Sequence, residues 1–138
     1  MKYLLRCLLP LLLLGCDSTK PAQNDTTAST GAALTGEWVL REFPGHDFDA
    51  DNPPTVRFEE EGRVSGFSGC NRFSGTYSGW PDTLTFGPLV TTRMACPGDN
   101  VEAAFHAVLD ADDLTARLAN QELTLRAGVG ELTLVRRN

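Results

Sequence analysis

Histidine is almost missing from this chain. Only His46 and His106 occur among 138 residues, which leaves little material for a histidine-ligated metal or a histidine general base. Positive charge is short as well: 12 Lys and Arg stand against 18 Asp and Glu, for a formal net charge of −6. Without a basic stripe the chain lacks the electrostatic footprint of a nucleic-acid binder. No apolar run reaches the roughly 18–20 residues that a membrane-crossing helix needs. The spacings of a phosphate cradle and of a zinc site are absent too, so no metal and no cofactor is expected. What is present is 41% hydrophobic residues, enough for one small globular domain and too many for wholesale disorder.

The N-terminus reads MKYLLRCLLPLLLLG. Two cations, Lys2 and Arg6, precede a short apolar stretch and a small residue, which is the pattern of an export signal. The next residues, Leu13-Leu14-Gly15-Cys16, resemble the lipobox of bacterial lipoprotein precursors, although Leu14 is bulkier than is usual at its position. The resemblance implies that residues 1–15 are a lipoprotein signal peptide and that Cys16 becomes a lipidated N-terminus, with the protein held on the membrane by its acyl chains. One acyl chain binds only marginally, whereas several anchor a protein stably. Cys7 leaves with the signal, as do Lys2 and Arg6, so the mature chain is more acidic still. Asp17 directly after the lipidated cysteine resembles the enterobacterial signal for the inner membrane and tilts the choice away from the outer one; in either case the domain faces the periplasm.

Residues 16–33 continue as the lipidated cysteine and DSTKPAQNDTTASTGAA. The stretch is polar and without periodicity, and it cannot bury enough surface to offset its ordering entropy. As a random coil it reaches roughly 20–25 Å, a tether that lets the domain stand off the membrane.

From Leu34 to Asn138 the pattern changes to short alternating runs. Trp38 and Leu40 alternate against Glu37, Val39 and Arg41, and Val56 and Phe58 against Arg57 and Glu59; Val64 and Phe67 follow, then Leu84 and Phe86. Leu114–Leu118, Glu122–Arg126 and Glu131–Arg136 repeat the period of two. Runs this short, separated by Gly, Pro, Asn and Asp, predict antiparallel strands. Ala119-Asn120 and Ala127–Gly130 are the expected turns of two closing hairpins. One segment, about 98–110, has a helical period instead. Val101, Ala104, Phe105, Val108 and Leu109 share a face, and Asp99 with Glu102 matches a capping-box variant. The expected fold is α+β: an antiparallel sheet or partly closed barrel of short strands with one packed helix.

Two motifs stand out. Gly66–Tyr77 reads GFSGCNRFSGTY, in which three glycines among ten residues suggest bends, a bulge or close backbone approach. Just ahead of the helix stands Thr91–Pro97, TTRMACP. Gly-Cys-Asn-Arg-Phe-Ser-Gly, then Thr92-x-Met94-x-Cys96, one helix, and a late Asn120-Gln121-Glu122-Leu123-Thr124-Leu125 strand resemble the META domain family, in particular its HslJ-type members, which are heat-shock-associated proteins of the bacterial envelope. The resemblance covers all of the part expected to fold. It implies a sheet-plus-helix domain with no established catalytic residue, acting in stress tolerance. The positions that carry it, Gly69, Asn71, Arg72, Gly75, Thr92 and Met94, form the candidate binding or signature surface.

Each candidate also has a plainer reading. Cys70 and Cys96 in an oxidising compartment and a small domain suit a disulfide, which would close a loop of about 26 residues and contribute roughly 3.5 kcal/mol in the chain-entropy model. As free thiols they are inert, or serve a redox or nucleophilic role with His106 as base. Asn71 suits a turn as well as a ligand, and Arg72 suits an ion pair with a surface carboxylate. His46–Asn52 begins like a calcium loop, but Asn52 stands where Gly is required and Phe58 where Glu is, so a solvated acidic loop is expected. The acids Asp110, Asp112 and Asp113 oppose the helix dipole and call for a basic neighbour or a turn role. Ser68 lacks the glycine that a nucleophile elbow needs two residues on.

Two readings of function follow. The first is a non-catalytic, lipid-anchored periplasmic protein that binds an envelope protein or a small molecule. The second is a thiol-dependent redox protein or enzyme using Cys70 or Cys96. A structural spacer between membrane and wall is a third, weakened by the short tether.

Overall fold

A computed structural model describes residues 33–98 and 100–138. The expected signal 1–15, the lipidation site Cys16, the tether up to residue 32 and the proposed cap Asp99 lie outside the described residues.

Nine strands are present among the described residues: β1 (Gly36–Glu42), β2 (Thr55–Phe58), β3 (Arg63–Phe67), β4 (Arg72–Ser78), β5 (Thr85–Phe86), β6 (Val90–Thr91), β7 (Thr115–Ala119), β8 (Glu122–Ala127) and β9 (Gly130–Arg136). One helix, α1 (Glu102–Leu109), lies between β6 and β7. Every pairing is antiparallel, in the order β5-β4-β3-β2-β1-β9-β8-β7, with β6 also on the outer edge of β4. The sheet curls into a half-barrel, and α1 packs into its open side against β8 and β9. This is the α+β architecture that the short alternating runs predict.

Alternation does the sorting of side chains. Trp38 and Leu40 of β1, Val56 and Phe58 of β2, Leu123 and Leu125 of β8, and Leu132 and Leu134 of β9 are all buried, as period-two strands with one face inward require. The helix contributes Phe105, Val108 and Leu109, preceded by Val101, to the same cluster. α1 is shorter than the stretch 98–110 that its apolar period suggested. Asn100 starts it: its Oδ1 accepts the Glu102 N–H at 3.0 Å, the bond expected of an N-cap side chain. Its far end closes where the Asp110 N–H donates to His106 O.

The two closing hairpins are present, the first displaced by one residue. Asn120 and Gln121 form its loop with φ of 50° and 65°, the doubly positive conformation whose twist matches that of the flanking strands. The second turns at Gly128, whose N–H donates to Asp113 Oδ2 at 2.8 Å; this is the turn role that the acids after the helix called for. His46–Asn52 is an exposed loop in which Asp49 Oδ1 accepts the Asp51 N–H.

Arg136 ties the end of the domain to its beginning. Its guanidinium sits 4.3 Å from the Trp38 ring centroid, donates to Thr35 O at 2.6 Å and Ala33 O, and bonds Gln121 through Nε. Beneath it Trp38 Nε1 donates to Leu34 O at 2.9 Å, so the buried indole leaves no polar atom unpaired.

The glycine-rich run Gly66–Tyr77 holds two of the features expected of it. The chain bends at Gly69–Asn71, and the run then enters β4, a seven-residue strand that the alternation did not mark. Gly66 and Gly75 act through close approach. Gly66 lies opposite Phe73 across the β3–β4 pair, and a Cβ on Gly66 would collide with the Phe73 ring and with Thr55 O. The ring thus covers the glycine. Gly66→Ala is expected to cost about 1–3 kcal/mol by overpacking, seen as a lower urea midpoint at an unchanged slope.

Candidate functional site

The β3–β4 hairpin turns through Ser68–Asn71, a loop closed by the Ser68 N–H donating to Asn71 O at 2.9 Å. Gly69 holds φ of +104° inside it, and a Cβ there would strike Val101, so the position needs glycine both for its conformation and for the helix start beside it. Gly75, further along β4, lies directly under Pro88 and Leu89, which leave no room for a side chain.

Asn71 is the centre of the arrangement, with only 6% of its surface exposed. Its Oδ1 accepts the Met94 N–H at 2.7 Å and the Thr92 hydroxyl at 3.0 Å. Its Nδ2 donates to Glu102 Oε2 at 3.0 Å and reaches Met94 O at 3.4 Å. The Met94 N–H can bond only an acceptor, which fixes which way the amide faces. Thr92 completes a clasp: the Arg72 N–H donates to its Oγ1, and the Thr92 N–H donates to Arg72 O. One carboxamide therefore joins the hairpin loop, the segment before the helix and the helix itself.

Glu102 has a different role from the cap partner that its spacing from Asp99 suggested. Its carboxylate faces inward, where Ser68 Oγ lies 3.1 Å from Oε1 and Asn71 Nδ2 lies 3.0 Å from Oε2. Ser68 is fully buried, and its single hydroxyl hydrogen serves either Glu102 or Asn71 O at 2.9 Å. Ser68 is thus a strut rather than a nucleophile. Sequence reasoning missed Ser68 and Glu102 as members of the site. The available signal was the four-residue step from Glu102 to His106, which puts both beside Phe105 and Leu109 on the helix surface.

Cys70 and Cys96 are joined in a disulfide with Cα atoms 5.8 Å apart. Cys96 Sγ lies 3.3 Å from Glu102 Oε2 and 3.4 Å from Asn71 Nδ2. His106 is not placed as a base for a thiol. Its ring packs edge-on against Phe73 at 5.3 Å, and Nε2 sits 4.0 Å from Glu102 Oε1 with no hydrogen-bond partner among the described residues.

On the outer side of the disulfide is a half-open cleft of about 520 Å³, lined by Phe67, Cys70, Arg72, Thr92, Met94 and Arg137, among others. The Met94 side chain is 62% exposed. Arg72 departs from expectation: among the described residues no carboxylate pairs with its guanidinium. Glu37, an acid of the same cleft, is held instead by Arg137 at 3.1 Å and Arg57 at 3.9 Å. Across the sheet, the Tyr77 hydroxyl donates to Glu59 O at 3.0 Å, and burial pushes its phenol above the ordinary value, so it remains a donor through the neutral range.

A family profile, META domain, matches residues 32–138. Among solved structures, one described as the NMR structure of the protein from Burkholderia xenovorans is 29% identical. That match covers 78% of this chain and 86% of the other at a TM-score of 0.63. A second NMR structure is 30% identical over 75% of this chain and 90% of its own, also at a TM-score of 0.63. Among curated proteins none matches.

Asn71→Ala would remove the acceptor of the Met94 N–H and the Thr92 hydroxyl and a donor to Glu102, and is expected to cost about 2–4 kcal/mol, since a neutral hydrogen bond contributes roughly 0.5–1.5 and one to a charged group roughly 1.5–3. Thr92→Val, losing one hydroxyl, should cost about 1 kcal/mol; chemical unfolding of both variants checks the ranking. The unfolded, unreduced domain should show no free thiol from Cys70 or Cys96, and reduction should lower its unfolding free energy by about 3.5 kcal/mol.

Proposed function

Because the chain belongs to the META domain family, we propose that it is a non-catalytic, lipid-anchored protein of the cell envelope, of the HslJ type, which captures an envelope protein or small molecule through the cleft beside Cys70. The single observation that carries the reading is Arg72. A guanidinium with no carboxylate partner among the described residues lines a concave surface next to an exposed methionine, a pairing that suits an occupant with an anionic group and an apolar part. Binding sites of this kind combine apolar walls with a few placed polar groups.

The non-catalytic part of the reading rests on how the reactive side chains are used. The Ser68 hydroxyl is spent on structure, the sulfurs are bonded to each other, and the imidazole of His106 is packed between aromatic rings. The anchor is carried by the LLGC sequence ending at Cys16, and the polar tether would hold the cleft within roughly 20–25 Å of the membrane.

The test is cross-linking in intact cells from a photoreactive residue at position 94, with the equally exposed position 129 in the β8–β9 turn as control. The expected result is a product from position 94 that disappears in Arg72→Glu while the melting temperature stays unchanged. Equal capture from both positions, or capture indifferent to Arg72→Glu, would overturn the cleft as the binding surface. Separately, Cys16→Ser should move the protein out of the membrane fraction.

A further inference from the structure

We propose that Cys70, Cys96 and Glu102 form, once the disulfide is reduced, a binding site for a thiolate-seeking cation such as Zn²⁺. The disulfide and the metal site are then alternative states of one cluster. The inference stands apart from the reading of the cleft.

The two sulfurs and a carboxylate oxygen of Glu102 all lie within 4.8 Å of one another. Zinc–sulfur bonds of about 2.3 Å and zinc–oxygen bonds of about 2.0–2.2 Å in a tetrahedron separate ligand atoms by roughly 3.5–3.8 Å, so the three donors need only small side-chain rotations to surround an ion. In the oxidised chain neither sulfur can act as a thiolate ligand. Reduction changes the charge balance. Two ionisable thiols would then stand beside a carboxylate already 3.3 Å from Cys96 Sγ. The donor that reaches all three groups is Asn71 Nδ2, at 3.0 Å from Glu102, 3.4 Å from Cys96 and 3.8 Å from Cys70. One amide cannot compensate two thiolates and a carboxylate, and among the described residues no lysine or arginine pairs with Glu102. A bound cation would.

The donor set also selects the ion. Paired thiolates favour zinc and other soft cations over calcium or magnesium. His106 fits the surroundings of such a site. Its Nε2 is buried, lacks a hydrogen-bond partner among the described residues and lies 4.0 Å from Glu102 Oε1, the oxygen turned away from Cys96. An imidazole next to a ligating carboxylate is an orienting neighbour, the arrangement that commonly surrounds zinc ligands. His106 is therefore assigned a positioning role rather than a bond to the metal.

The chemistry balances with a dithiol reductant. It delivers two electrons and two protons: the bond between Cys70 and Cys96 breaks, the reductant closes its own disulfide, and each cysteine gains a hydrogen. Zinc then displaces both thiol protons to solvent, forming two bonds to sulfur and one to Glu102, and water from the cleft takes the fourth position.

The test uses the full chain with Cys7 and Cys16 replaced by Ser, reduced with dithiothreitol and desalted without oxygen. Titration with Co²⁺ should give the thiolate-to-cobalt absorption at one ion per chain, bleached by Zn²⁺, whereas the oxidised chain shows none. Glu102→Gln should weaken binding about tenfold or more, and His106→Ala about tenfold with the absorption retained, the range found for supporting residues around metal ligands. A reduced chain that keeps its near-ultraviolet dichroism but gives no absorption would overturn the proposal. So would absorption that survives in the Cys70→Ser, Cys96→Ser double variant, or unaltered affinity in Glu102→Gln. If reduction abolishes the near-ultraviolet signal, Zn²⁺ should restore it; failure to do so also rejects the site.

Discussion

The carboxamide of Asn71 is the interaction on which the rest of this domain depends. An amide side chain offers two donors and an acceptor oxygen with two lone pairs, and all are engaged by groups that come from other parts of the chain. Met94 and Thr92 precede the helix, Glu102 opens it, and Asn71 itself sits in a hairpin loop. None of these contacts is local, so each must be bought with loop closure before it contributes. The disulfide beside it bridges the same two segments, Cys70 to Cys96, and so reduces the entropy that the hydrogen bonds must overcome. Covalent tie and polar network reinforce each other at one seam of an otherwise apolar core.

That seam decides how the helix docks. A bare amphipathic helix of eight residues is marginal by itself, and Phe105, Val108 and Leu109 give it an apolar face but little rotational specificity. Glu102 supplies the specificity. An acid at the first turn, half-buried against Ser68 and Asn71, favours one rotation of the helix, because others would lose its two donors or turn a carboxylate toward apolar side chains. The interior therefore combines a sheet that accepts many packings with a polar pin that accepts one.

Much of this was legible in the sequence because it rests on short-range periodicity. The alternation at Trp38 and Leu40, at Val56 and Phe58, and through the last two hairpins marked strands that the fold contains, and the apolar spacing from Val101 to Leu109 marked the helix. β4 was not legible. Gly75 and the polar Ser74 and Thr76 weaken its alternation, and the reason glycine is required, a Phe73 ring lying across Gly66 and a loop lying over Gly75, is tertiary. The role of Glu102 was hidden for a similar reason. Its spacing from Asp99 fits a cap, and nothing local reveals that a buried serine and asparagine more than thirty residues upstream point at the same carboxylate. The cluster Cys70, Cys96 and Glu102 escapes any motif for the same cause, since its members converge only through the fold.

The same segments that pin the core also shape the cleft, and strand geometry explains how one motif serves both. Successive side chains of an extended chain face opposite ways. At the start of β4 Asn71 turns inward to the network, Arg72 outward to the cleft, and Phe73 inward onto Gly66. Before the helix, Met94 gives its backbone to Asn71 and its side chain to solvent. Recognition and folding thus use alternate residues of one stretch. A side chain that faces the cleft can vary without disturbing the pin behind it, whereas the inward positions leave no such freedom. Two groups belong to both sides: Thr92 lines the cleft and bonds Asn71, and the disulfide borders the cleft through Cys70 and touches Glu102 through Cys96. The redox state of the disulfide is therefore a variable that the cleft and the core would register together.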